Sequence, residues 1–175
     1  MKVAAEMDAA PSSILFPERY KEHVACALDM VGKHMFLDPP AAIASVYLAT
    51  RFEFFFRTLS GKLKSNGEWV DAAAKAAATA SISDDRLNRK KLSDVALTYK
   101  VMKLDQSRPA AQVLNTLDKA LFKVPITATG GFKVADIGDR IAFGRHNTGH
   151  GEWGDISSEA VFYGLVTAII FYNQN

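Results

Sequence analysis

The stretch that most limits what this chain can fold into is Ala41–Leu63, AAIASVYLATRFEFFFRTLSGKL, entered through Asp38-Pro39-Pro40. Proline removes a backbone donor and clashes with a preceding helical turn, so this entry ends whatever helix comes before it. From Ala41 onward Ile43, Tyr47, Phe52, Phe55, Phe56, Leu59 and Leu63 recur at helical spacing, and Leu48 and Phe54 widen the stripe. An apolar stripe along some six turns must be buried on one side, so Ala41–Leu63 is expected to be the central helix of the fold.

The remaining periodicity is also helical. Pro17–Met35 carries Tyr20, Val24, Ala27, Leu28 and Val31 on one face behind a helix-compatible proline, with His23 and His34 read as structural. Ser65-Asn-Gly-Glu68 matches a capping box and predicts an alanine-rich helix from Glu68 to Ala80. Ser83, Asp84 and Asp85 predict a cap for a helix over Arg86–Leu104, with Leu87, Val95, Leu97, Val101 and Leu104 inward. Pro109 opens another, Ala110–Phe122; Val124–Phe132 reads as loop; Lys133–Arg145 and Ser158–Tyr172 complete the set. With no hairpin and no repeat evident, the expected fold class is all-α, a bundle of five to seven helices. The 175 residues suit a single domain, with 1–38 as a helical extension and 39–172 as the core.

Composition narrows the function classes. The lone cysteine, Cys26, offers neither an internal disulfide nor a thiolate metal cluster and suits a cytoplasmic protein. Glu6 and Asp8 interrupt what a signal peptide would need, and the apolar run Ala160–Tyr172 is too short to span a bilayer, so no membrane contact is expected. A net charge of +2 does not by itself call for a nucleic acid. The cluster Arg86, Arg89, Lys90, Lys91 reads as the solvated face of one helix, continued by Lys100 and Lys103.

Chemistry concentrates in Gly144–Trp153, GRHNTGHGEW. Its glycines predict a polar turn between two helices, with Arg145 at the end of the first and His150 in the turn. Arginine stays cationic and grips a phosphate through parallel N–H bonds, whereas imidazole can give or take a proton near neutrality. The pair therefore suits metal-free cleavage of RNA, where the 2′-OH is a built-in nucleophile. Arginine would stabilise the phosphorane charge and histidine would move the protons.

Arg145-His-Asn-Thr-Gly-His150 resembles the R-x(4–6)-H signature of the HEPN superfamily, in which a polar residue, here His146, follows the arginine. The long early helix and the position of the motif ahead of a late apolar helix are similar to that family's arrangement. The resemblance implies a metal-independent endoribonuclease, found in toxin–antitoxin, phage-defence and RNA-processing systems, with Arg145 and His150 catalytic and no cofactor. It also implies RNA as substrate, a homodimer with the motifs facing each other, and a possible antitoxin or other partner protein.

The neighbours of the pair have plainer readings. His146 and His150 stand i, i+4, which on a continuous helix would suit zinc with Glu152 as a third ligand, but Gly149 and Gly151 argue against continuity, and no metal is expected. His146 suits a helix C-terminus, where a cation meets free carbonyls, and Asn147 suits a turn, so both are assigned supporting roles. Glu152 and Trp153 could line a substrate pocket or rim the turn. Glu53 forms a favourable i, i+4 pair with Arg57 and is the first candidate to tune His150. Two further readings stay open: a non-catalytic dimerisation or RNA/nucleotide-binding module, and a structural bundle in which Arg145 is tied in an ion pair.

Overall fold

The computed structural model describes residues 40–124, 126, 127, 131 and 133–151, together with Asp29, Ala160, Tyr163, Gly164 and Thr167. The helices are α1 (Pro40–Ser60), α2 (Ala72–Ser81), α3 (Val95–Lys103), α4 (Pro109–Leu121) and α5 (Ile137–Gly149), with a 3-10 turn at Asp85–Asn88. The fold is all-α. No helix among the described residues is long and apolar enough to cross a membrane. The expected Pro17–Met35 helix lies outside the described residues, apart from Asp29, as do Cys26, His23 and His34. Of Ser158–Tyr172 only Ala160, Tyr163, Gly164 and Thr167 are described, all helical.

The α1 helix is central because its aromatic stripe has two partners, α3 and α5, which also pack on each other. Leu48, Phe52, Phe55, Phe56 and Leu59 are buried with Val95, Tyr99 and Met102 of α3, Leu114 of α4 and Ile137 and Ile141 of α5. Phe52 stacks on Phe56 at 5.6 Å and Phe56 meets Tyr99 at 5.2 Å, contacts worth about 0.5–1.5 kcal/mol each beyond burial. The stripe is narrower than its sequence suggests: Ile43 and Phe54 are 57% and 48% exposed. A Cβ on Gly138 would lie 2.5 Å from Tyr99 Cδ1, so the close crossing of α5 over α3 depends on that glycine.

A second cluster, Leu63, Ala78, Leu87, Leu92, Leu97 and Val101, fills the space between α3 and the segments before it, with Trp69 packed against it. Here the structure departs from the expected helices. Ser65–Glu68 does not cap a helix. It is a turn in which the Glu68 N–H donates to Asn66 Oδ1 at 3.0 Å, a local bond that competes with helix formation. The helix starts at Ala72, capped by Asp71, whose side chain accepts from the Ala74 N–H at 2.7 Å.

The single helix expected over Arg86–Leu104 is also two pieces. Leu92 donates its N–H to Gly67 O at 2.8 Å, and its carbonyl accepts from Arg57 at 2.8 Å. Backbone groups committed across the chain cannot also serve a helix, so the helix restarts at Val95 under a fresh cap, Asp94 accepting from the Leu97 N–H at 3.0 Å. Arg86, Arg89, Lys90 and Lys91 therefore sit on a 3-10 turn and the extended segment after it, not on one helix face. Within Val124–Phe132, expected as loop, Ile126–Thr127 pairs antiparallel with Lys133–Val134, a minimal hairpin leading into α5.

Candidate active site

The motif lies on α5, and how that helix begins and ends decides its geometry. Asp136 caps the N-terminus, accepting from the Asp139 N–H at 2.8 Å, while Asp139 reaches back to the Ala135 N–H at 3.0 Å. At the other end the His150 N–H donates to the carbonyls of Asn147 (3.0 Å) and His146 (3.1 Å). Gly151 follows with φ +83°, the left-handed position that stops a helix. The helix thus runs through Gly144 and Gly149, and the polar turn expected from Arg145 onward starts only at His150.

Continuity puts Ala142, Arg145, His146, Gly149 and His150 on one face, three or four residues apart. They line an open cleft of about 330 Å³ whose other wall is Ser93, Asp94 and Val95 at the start of α3. The His146 and His150 rings are 4.4 Å apart, a juxtaposition that a glycine-broken turn would not have given. Both histidines are exposed, whereas Asn147, facing the other way, is buried in the last turn of α5 and not in a loop. Thr148 approaches Ser45 of α1 at 3.4 Å between hydroxyl oxygens, so the C-terminal turn is seated on the central helix. Glu152 and Trp153 lie outside the described residues.

Arg145 is held from below. Its Nη1 donates to Glu53 Oε2 at 2.9 Å, and the other Glu53 oxygen accepts from Arg57. Glu53 is only 6% exposed, and a buried carboxylate without cationic partners would be strongly unfavourable. Arg57 is fixed in turn on the carbonyls of Leu92 (2.8 Å) and Ser65 (3.3 Å). The partners of Glu53 are thus the two arginines rather than His150. The Arg145 side chain remains 39% exposed and carries the positive charge of the trio to the cleft. Asp94, on the facing wall, is bound to the Leu97 N–H and to Arg86, whose Nη1 lies 2.6 Å from it.

Sequence reasoning missed a second polar group, around the other end of α5. Asp118 accepts from Tyr99 Oη (2.9 Å), Lys103 Nζ (2.7 Å) and the Ile137 N–H (3.0 Å). Lys103 also reaches Asp136 at 3.1 Å, and Lys100 pairs with Asp139 at 3.3 Å. Burial pushes the Asp118 and Asp139 carboxyls above the ordinary range, against the pull of Lys103 and Lys100 respectively. Burial works to lower Lys103, but the Asp136 and Asp118 carboxylates outweigh it and leave the ammonium above its ordinary value. Burial, then the charges of Asp118 and Asp136, push the Tyr99 hydroxyl well above its usual pKa. The sequence carried no local signal for it: Lys100 and Lys103 read as a solvated face, and the partners of Lys103 lie 15 and 33 positions away.

No protein-family model, no curated protein and no solved structure matches this chain.

Proposed function

We propose that the chain is a metal-independent endoribonuclease of the HEPN type. The observation that carries this reading is that Arg145 and His150 line one open cleft, with the His146 ring 4.4 Å from that of His150. A phosphodiester entering the cleft would meet a guanidinium already oriented by Glu53, so little ordering is lost when the phosphorane charge develops. One imidazole takes the 2′-OH proton as that oxygen attacks phosphorus, and a protonated imidazole gives its proton to the departing 5′-oxygen. The products are a 2′,3′-cyclic phosphate and a 5′-hydroxyl. His150 is the principal acid/base; His146, beside it, or His150 of a second copy across a two-fold interface, supplies the other proton. The HEPN-like core, the homodimer, a partner such as an antitoxin and a defence setting belong to the same proposal.

The test is cleavage of end-labelled RNA in excess EDTA. Wild-type cleavage should persist, and Arg145→Ala and His150→Ala should each lower it by about 10²–10⁴-fold, the range of a lost proton-transfer or oxyanion-stabilising group. Cleavage abolished by EDTA, or untouched in either variant, would sink the reading. The Arg145–Glu53 ion pair, which spends part of the arginine on structure, favours the reading of a structural bundle in which Arg145 is tied in an ion pair; the other alternative is a non-catalytic RNA- or nucleotide-binding module. It gains if RNA is bound with steep salt dependence and never cut.

A further inference from the structure

Cations also gather beyond the histidine cleft, around the turn and extended segments that cover the second core cluster. Some of that charge is spent: Arg86 pairs with Asp84 at 2.7 Å and with Asp94 at 2.6 Å, and Lys64 and Lys91 each stand 3.8 Å from Glu68. Lys75, Arg89 and Lys90 form no ion pair among the described residues, although Lys75 donates to Asn88 O at 2.7 Å and the Lys90 charge acts on the Glu68 carboxylate; Arg89 and Lys90 are exposed. Lys75 and Lys90 line a cleft of about 400 Å³ together with Trp69, Asn88 and Glu68. The indole is fixed in that wall, because its N–H donates to Arg89 O at 3.2 Å and the ring packs on the second cluster.

An aromatic ring sharing a cleft with lysines that are not locked in ion pairs is the combination that binds single-stranded nucleic acid without sequence preference, lysines on phosphates and a base against the ring. The position of this cleft matters as much as its content. Lys90 lines it and Ser93 lines the histidine cleft, so the chain between them spans at most roughly 10 Å. The connecting Leu92 is pinned on both sides, by Gly67 O on its N–H and by Arg57 on its carbonyl. That same Arg57 binds Glu53, which holds Arg145, so both clefts share one rigid frame.

We infer that the Trp69–Lys75–Lys90 cleft is a docking subsite for single-stranded RNA, delivering the strand past Ser93 to Arg145 and His150. The strand's fate at the histidines rests on the ribonuclease reading; its binding does not. Binding is therefore measured directly, by fluorescence anisotropy of a short labelled single-stranded RNA of mixed sequence, with the full-length His150→Ala protein to prevent turnover. Lys75→Gln/Lys90→Gln should weaken binding about tenfold at moderate salt and flatten the log–log salt slope by about 1.4, the share of two phosphate contacts on a single strand. Arg89→Gln/Lys90→Gln, which leaves the Lys75–Asn88 bond intact, should act in the same direction, with circular dichroism verifying the fold. RNA-induced quenching of tryptophan emission should shrink in Trp69→Phe. Unchanged affinity and slope in both charge variants would overturn the inference, as would preference for duplex RNA or polyglutamate over the single strand at equal salt. Binding of this kind by a protein that never cuts RNA would support the subsite while counting against the histidine cleft alone.

Discussion

Both ends of α5 gather ionisable side chains, and the two do opposite things. At the N-terminal end Asp136, Asp139 and Asp118 are at most 7% exposed, and their oxygens meet Lys103, Lys100, Tyr99 and backbone N–H groups. At the C-terminal end the two histidines stand in an open cleft, while Arg145 is tied to Glu53 and Thr148 approaches Ser45. Charge that is paired in the interior contributes order but is no longer available to a ligand; charge left at a cleft is available and contributes little to stability. One helix thus has a buried, paired end that anchors it and an end that leaves ionisable side chains open in a cleft.

The sharpest way to break this contrast is to remove the cation from the anchored end. Lys103→Met leaves Asp118 and Asp136 facing each other without their shared ammonium, and uncompensated buried charge of this kind costs about 3–5 kcal/mol. Chemical denaturation should show that loss. Replacing His150 with Ala should move stability by no more than about 0.5 kcal/mol, as for exposed sites generally. A Lys103→Met protein as stable as wild type would mean the network is not the anchor.

The same network sets the direction of pH dependence. Tyr99 and Lys103 have folded pKa values above their unfolded ones, so the folded state retains protons that the unfolded chain releases. Their contribution is complete below the unfolded values of about 10 and 10.5 and is lost as pH rises through the folded ones. Asp118 and Asp139 are raised too, so their contribution is greatest below the unfolded aspartate value of about 4 and declines as pH climbs through the folded values. The two aspartates thus act on the climb from acid pH, and Tyr99 and Lys103 penalise the alkaline side. Stability measured from neutral pH upward should fall beyond pH 10, with a shallower fall in Tyr99→Phe; a flat profile there would contradict the burial of these groups.

This division was only partly legible in the sequence. The α1 helix was readable because its aromatic stripe is local information, and Arg145 and His150, close in sequence, do line one cleft. What failed was long-range. The helix expected over Arg86–Leu104 breaks because Leu92 gives both backbone groups to Gly67 and Arg57, residues whose nearness no periodicity reveals. Lys103 meets Asp118 and Asp136 across 15 and 33 positions of chain, so the anchor had no local trace. In the motif itself Gly149 was weighed as a helix breaker equal to Gly151. Only Gly151 has the positive φ that ends a helix, and that difference turns a loose polar turn into a helical face presenting two adjacent imidazoles.

Glycines at the two ends offer the finest test of the contrast, because the same substitution should change sign. At Gly138 a methyl group would lie 2.5–2.6 Å from three atoms of Tyr99, itself fully buried and bonded to Asp118. Relief requires moving the ring or lifting α5 from α3, and overpacking of this kind costs about 1–3 kcal/mol. At Gly149 nothing lies within 4 Å of the added methyl, and the backbone is already helical. Alanine there restricts the unfolded chain without strain and should stabilise by about 0.5–1 kcal/mol. Thermal unfolding of Gly138→Ala and Gly149→Ala should therefore shift in opposite directions from wild type. If Gly149→Ala were instead destabilising, the last turn of α5 would not be helical, and the adjacency of His146 and His150 cited for the proposed chemistry would go with it.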